Sequence, residues 1–151
     1  MISKEEKKYQ KTKIKFVLRG FFAENSGKIL LLYGNTQYVR EVLLEMEMSN
    51  QRRVRAYFPN EFFGEIYLSL SENRPADFLI GSTDVLLLEN LWEIKQGSYH
   101  HSLLEVFMQL QKSRKQNKYI ILASEGNIRD IEWMINRYVV DKKALLKIEI
   151  H

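Results

Sequence analysis

The most apolar run in the chain ends abruptly in two polar residues. Val85, Leu86, Leu87 and Leu88 are followed at once by Glu89 and Asn90, within the string TDVLLLENLW over 83–92. An unbroken aliphatic run of this kind suits a strand buried on both faces, the pattern of a central parallel strand. In such sheets ligands and catalytic groups gather just beyond the carboxyl ends of the strands. Glu89 and Asn90 stand at that point, although loop polarity and capping of the following turn account for both more simply. Other chemistries find less support. His100 and His101 are adjacent, so on a helix they point in different directions, unlike the i, i+4 spacing of a metal pair, and they read as surface or boundary residues. There is no G-x-S-x-G elbow, no cysteine nucleophile and no glycine-rich dinucleotide fingerprint. Trp92 and Trp133 read as core-edge or contact-surface residues. Arg52, Arg53 and Arg55 could meet phosphate, but charge on an edge strand also guards against aggregation, and that reading is preferred.

Composition limits the possibilities further. A chain of 151 residues, 45% hydrophobic, fits one domain with a real core. The absence of cysteine excludes disulfides and thiolate metal sites and suits a reduced cytoplasmic protein. Over 1–22 the apolar character is broken by Arg19 and Gly20, so neither a signal peptide nor a membrane span is expected. The net charge of +4 comes largely from Lys4, Lys7, Lys8, Lys11, Lys13 and Lys15. Residues 1–13 therefore read as a basic, flexible arm, and 14–151 as a single core.

The elements that must position Glu89 and Asn90 follow from periodicity. Ile14, Val17, Leu18, Phe21 and Phe22 recur at helical spacing, which predicts a helix docked on the core. Strand KILLLY (28–33) leads through Gly34 into a helix bearing Val39, Val42, Leu43 and Met46. An edge strand over 52–58 precedes a helix starting at Pro59 with Phe62, Phe63, Ile66 and Leu70, and a loop over 74–82. After the central strand come a long helix from Gly97 to the basic stretch 112–118, strand YIILA (119–123), a short helix capped by Asn127, and strand LLKIEI (145–150). Strands alternating with helices predict an α/β fold: a mainly parallel, five-stranded, doubly wound sheet with helices on both faces.

These strings together resemble the core of the bacterial replication initiator DnaA and its relatives in the AAA+ superfamily. DVLLLENLW, the helix from Tyr99 to Gln116 and YIILASEGNIRDIEWMINRYV carry the likeness, and LLLYG (30–34) and VRAYFPNEFFGEIYLSLSEN extend it backwards. The resemblance implies a P-loop NTPase fold and places the family's motifs on particular residues. A phosphate loop G-x-x-x-x-G-K-[ST] uses glycines for close backbone approach, lysine for charge and a hydroxyl on Mg²⁺. Aligned without a gap, its roles fall on Gly34, Val39, Arg40 and Glu41, and only Gly34 and the positive charge of Arg40 survive. Glu41 would set a carboxylate beside a triphosphate. The family's paired acids fall on Glu89 and Asn90, and an amide cannot serve as a general base near neutral pH. The sensor position carries Glu125, and Arg137, flanked by Asn136 and Tyr138, falls where the family places the arginine finger between subunits.

The resemblance thus implies a degenerate ATPase core that is not an enzyme and needs no cofactor. It implies a cytoplasmic protein that acts by binding another protein, such as a replication initiator or helicase-loading component, in replication initiation or its control. With no room before His151 for a helical lid or a helix-turn-helix domain, sequence-specific DNA binding is not expected. The alternatives are an ATP-binding module with an atypical loop, working with ATP and Mg²⁺ as a weak ATPase or switch, and a non-specific nucleic-acid binder using its lysines and arginines. Without a phosphate to wrap, the turn after Tyr33 is expected to tighten, with Asn35 or Thr36 capping a helix that begins before Arg40.

Overall fold

The computed structural model describes residues 3–24, 28–50, 54–57, 64, 68–69, 71–73, 84–90, 118–125, 129, 132, 136–137 and 142–151. Helix α1 (Lys4–Glu24) is followed by β1 (Ile29–Gly34), α2 (Val39–Asn50), β2 (Val54–Tyr57), β3 (Val85–Glu89), β4 (Tyr119–Glu125) and, after a 3-10 turn, β5 (Leu145–Ile150). The helices expected from 59, 97 and 127 and the loop 74–82 lie largely or wholly outside the described residues. So do Arg52, Arg53, Trp92, His100, His101, Trp133 and Tyr138.

The strands form one sheet in the order β2-β3-β4-β1-β5. Every neighbouring pair is parallel. The run of 85–88 is an interior strand, as its composition demands, although β4 and not β3 holds the middle place; β2, with its alternating charges, lies at an edge. The open start of that edge strand is met from α2, where Glu47 Oε1 accepts the Val54 N–H at 3.2 Å. Register aligns the carboxyl ends: Gly34 stands opposite Glu125, and Glu89 opposite Ala123. The residues following β1, β3 and β4 therefore meet along one rim of the sheet.

Because strand side chains alternate, each face takes every second residue. Leu30, Leu32, Val85, Leu87, Ile121 and Ala123 form one face, packed against Ile14, Leu18 and Phe21 of α1 and Val39, Val42, Leu43 and Met46 of α2. Leu31, Leu86, Leu88, Ile120 and Leu122, pointing the other way, are equally buried. Burial on both faces explains why these strands read as continuous apolar runs instead of alternating ones. Each such leucine or isoleucine contributes about 1.5–3 kcal/mol relative to exposure.

Helix α1 corrects the reading of its first half. It starts at Lys4, so residues 4–13, expected as an arm, are its first turns. Ser3 is the N-cap: its Oγ accepts the Glu6 N–H at 3.1 Å and its carbonyl accepts the Lys7 N–H at 3.0 Å. Glu5 and Glu6 lie in the first turn, where they complement the helix dipole. The lysines gain partners across the groove to α2: Lys7 pairs with Glu41 at 3.4 Å, and Lys11 with Glu41 at 3.3 Å and with Glu45. At the other end Tyr119 Oη donates to the Phe22 carbonyl at 3.2 Å. The Tyr119 ring meets those of Phe21 and Phe22 edge-on, with centroids 5.7 and 5.0 Å away. The stripe Ile14, Leu18, Phe21 and Phe22 is buried as expected for a helix docked on the core.

Candidate functional site

The rim built by β1, β3 and β4 gathers most of the residues singled out from sequence. Gly34 ends β1 with φ +94°, a left-handed conformation open to glycine. A Cβ there would lie 2.4 Å from the Ile150 carbonyl oxygen, so glycine is also required by the close approach of β5. The next residues turn sharply. Asn35 N–H donates to the Ile150 carbonyl at 2.9 Å, Thr36 N–H to the Gly34 carbonyl at 3.0 Å, and Val39 N–H to the Thr36 carbonyl at 3.1 Å. Helix α2 begins at Val39, ahead of Arg40 as expected. The expected side-chain cap is replaced by backbone: Val39 N–H goes to the Thr36 carbonyl, and the Tyr38 carbonyl accepts the first helical bond, from Val42, at 3.0 Å.

This turn is closed by its own backbone. A phosphate loop works because its amides point free at the anion, whereas the amides of Asn35, Thr36 and Val39 are spent on carbonyls. Val39, at the second glycine position, is instead wholly buried in the core.

Arg40 and Glu89 close the site from either side. The Arg40 guanidinium lies 3.1 Å from Glu89 Oε2, with the two side chains 32% and 17% exposed. The residues on which the resemblance placed the phosphate-binding lysine and the first acid thus form an ion pair with one another. Asn90, at φ +54°, donates its N–H to the Ala123 carbonyl at 2.8 Å, and its Oδ1 accepts the Glu125 N–H at 3.3 Å. Its amide therefore fastens β3 to β4, and left-handed backbone suits asparagine better than most residues. This goes beyond the capping role expected from sequence. Glu125 ends β4 and is exposed.

Glu41 does not face this rim. Neighbouring residues on a helix lie about 100° apart, so with Arg40 turned to β3, Glu41 turns to α1 and pairs with Lys7 and Lys11. The carboxylate that the resemblance set beside a triphosphate is thus paired with the lysines of α1. Burial pushes the Glu41 carboxyl up, but the Lys11 and Lys7 ammonium groups together hold it below its ordinary value. Lys11 is raised in turn, chiefly by its hydrogen bond to Glu45, with burial opposing and Glu41 adding to the effect.

Between these residues lies a hollow of about 70 Å³ lined by Thr36, Gln37, Glu89, Asn90, Ala123 and Glu125. Ordinary ligand pockets hold roughly 300–1,000 Å³, several times this volume. Thr36 was singled out from sequence only as a helix cap and Gln37 not at all; their place in a turn leading off the first strand was the available signal. Arg137 and Asn136 are helical and exposed, and neither lines the hollow. Tyr138 lies outside the described residues. Among the described residues no cluster of metal-ligating side chains occurs, and no helix is long and apolar enough to cross a membrane.

No family model matches the chain, and no curated protein does. Solved structures do. A DNA replication initiation factor superposes with a TM-score of 0.66 at 17% identity, over 100% of this chain and 48% of that one. DnaA from Aquifex aeolicus, solved with AMPPCP bound, gives 0.63 at 17% identity over 100% and 48%. Domain III of the Thermotoga maritima replication initiation protein DnaA gives 0.67 at 12% identity over 94% and 62%. The chain spans about half the length of the first two structures. At these identities the likeness is one of fold, and this chain shares the α/β fold of these DnaA structures.

Proposed function

We propose that this chain is a nucleotide-independent, DnaA-like core that acts by binding another protein in DNA replication initiation or its control. The observation that carries the reading is the Arg40–Glu89 ion pair. It joins, at 3.1 Å, the two positions that in a working site would hold a phosphate and its Mg²⁺. The consumed amides of 35, 36 and 39 support the same conclusion, since binding ATP would require breaking the pair and opening the turn together. Without ATP there is no γ-phosphate to hydrolyse, so the chain is not an enzyme on this reading and takes no cofactor. The role of Arg137, with Asn136 and Tyr138 beside it, is then to bind a carboxylate of a partner protein, a replication initiator or helicase-loading component.

Calorimetric titration with ATP and Mg²⁺ tests the proposal. No binding is expected at micromolar concentrations. Micromolar affinity would overturn it and make the chain an ATP-binding module with an atypical phosphate loop.

A further inference from the structure

We propose that the outer side of α1 is a docking surface for an acidic amphipathic helix of a partner protein. The proposal rests on the reading that the chain acts through protein contacts, and it names the surface and the kind of partner. Lys4, Lys7, Lys8, Lys11 and Lys15 recur three or four residues apart and so form one stripe along α1, about 16 Å long at 1.5 Å per residue. With Thr12, Glu41 and Glu45 they line an open groove of about 350 Å³ between α1 and α2.

The inner side of this stripe already shows what complements it. Helix α2 offers Glu41 and Glu45, four residues apart, and Lys7 and Lys11, also four apart, pair with them. A helix with carboxylates at i, i+4 is thus the shape and charge that satisfies the stripe from one side. Lys4, Lys8 and Lys15 lie on the other side and make no ion pair among the described residues. Their spacing of four and seven residues is again helical, so a second acidic helix laid along α1 meets them in the register that α2 uses.

A neighbouring face of α1 carries two exposed aromatics, with the Lys13 ammonium over the Tyr9 ring at 4.5 Å. Phe16 is 80% exposed and Tyr9 64% exposed. Seven residues apart, they lie on one line of the helix, about 100° round from the lysines. Exposed aromatics of this kind are what protein interfaces bury at their centres.

The test uses the full chain and three fluorescent probes: a helical peptide with glutamates at i, i+4 and i+7 beside a leucine stripe, a scrambled peptide of the same composition, and a 20-nucleotide single strand. The patterned peptide should bind more tightly than the scrambled one. Replacing Lys4, Lys8 and Lys15 together by glutamine should weaken it about tenfold, as expected for three exposed pairs, and raising salt should do the same. Phe16→Ser should also weaken it, with the melting temperature unchanged in both variants. Failure of the patterned peptide to bind, equal binding of the scrambled one, or lysine-dependent binding of the oligonucleotide in preference to the peptide would each overturn the proposal. Because none of the probes contains nucleoside triphosphate, such a failure is distinct from micromolar ATP binding, which would overturn the broader reading alone.

Discussion

Separating Arg40 from Glu89 tests the central geometric claim. At 3.1 Å, two unit charges attract by about 5 kcal/mol at an effective dielectric constant of about 20. Desolvation of both groups returns much of that. Exposed pairs yield a net of about 0–1 kcal/mol, whereas breaking a buried one costs about 3–5 kcal/mol. With side chains 32% and 17% exposed, this pair lies between the limits, so the coupling should be about 1–3 kcal/mol. For a chain of this length a loss of about 2 kcal/mol lowers the melting temperature by roughly 4–8 °C. The assay is a double-mutant cycle with Arg40→Gln, Glu89→Gln and the double variant, read by urea denaturation. Positive coupling that persists with ATP and Mg²⁺ present is expected. Coupling of less than about 0.3 kcal/mol, within ordinary additivity, would show that Arg40 is not held by Glu89, and the argument that the phosphate position is occupied from within would fail.

Gly34→Ala should destabilise the fold by at least about 2 kcal/mol, since left-handed backbone and the clash with the Ile150 carbonyl act together; a neutral result in urea would refute that reading of the turn. Arg137→Ala should weaken partner binding by about 2–5 kcal/mol, the loss of a bidentate pair, while leaving the thermal melt unchanged; unchanged affinity for the partner would return Arg137 to a solvated helix position. The Glu41 carboxyl is held below its ordinary 4.5 by the lysines of α1, so its contribution is present above that value and is lost as pH falls through the lowered one. Glu41→Gln should therefore differ most from the parent near neutrality and converge with it in acid, and parallel stability curves across that range would contradict the pairing.

How far the chain could be read without coordinates depended on the range of each interaction. The strands over 29–34, 85–89 and 119–125 were readable because burial on both faces writes itself locally as an aliphatic run, whereas β5 (145–150), an edge strand only partly buried, shows as apolar residues alternating with Lys147 and Glu149. The helical stripes of α1 and α2 were readable from period alone, and the edge position of β2 from its alternating charge. Ser3 and Glu6 also carried a local signal, a capping pair three residues apart, which the surrounding lysines obscured. Lysines in a row look solvated when their partners are out of view, and Glu41 and Glu45 lie thirty and more residues further on. The candidate site was half determined in the same way. That Val39 and Asn90 stand where the resemblance expects a glycine and an acid is a matter of sequence. What replaces the lost chemistry was decided by the tertiary structure. Parallel pairing brings Glu89 to Arg40, Asn90 to Glu125 and the Ile150 carbonyl to Gly34 across separations of 35 to 116 residues. Charge neutralisation, a shared hydrogen bond and a steric contact act over a few ångströms in space, and no local pattern of residue types encodes which distant segments will be brought that close.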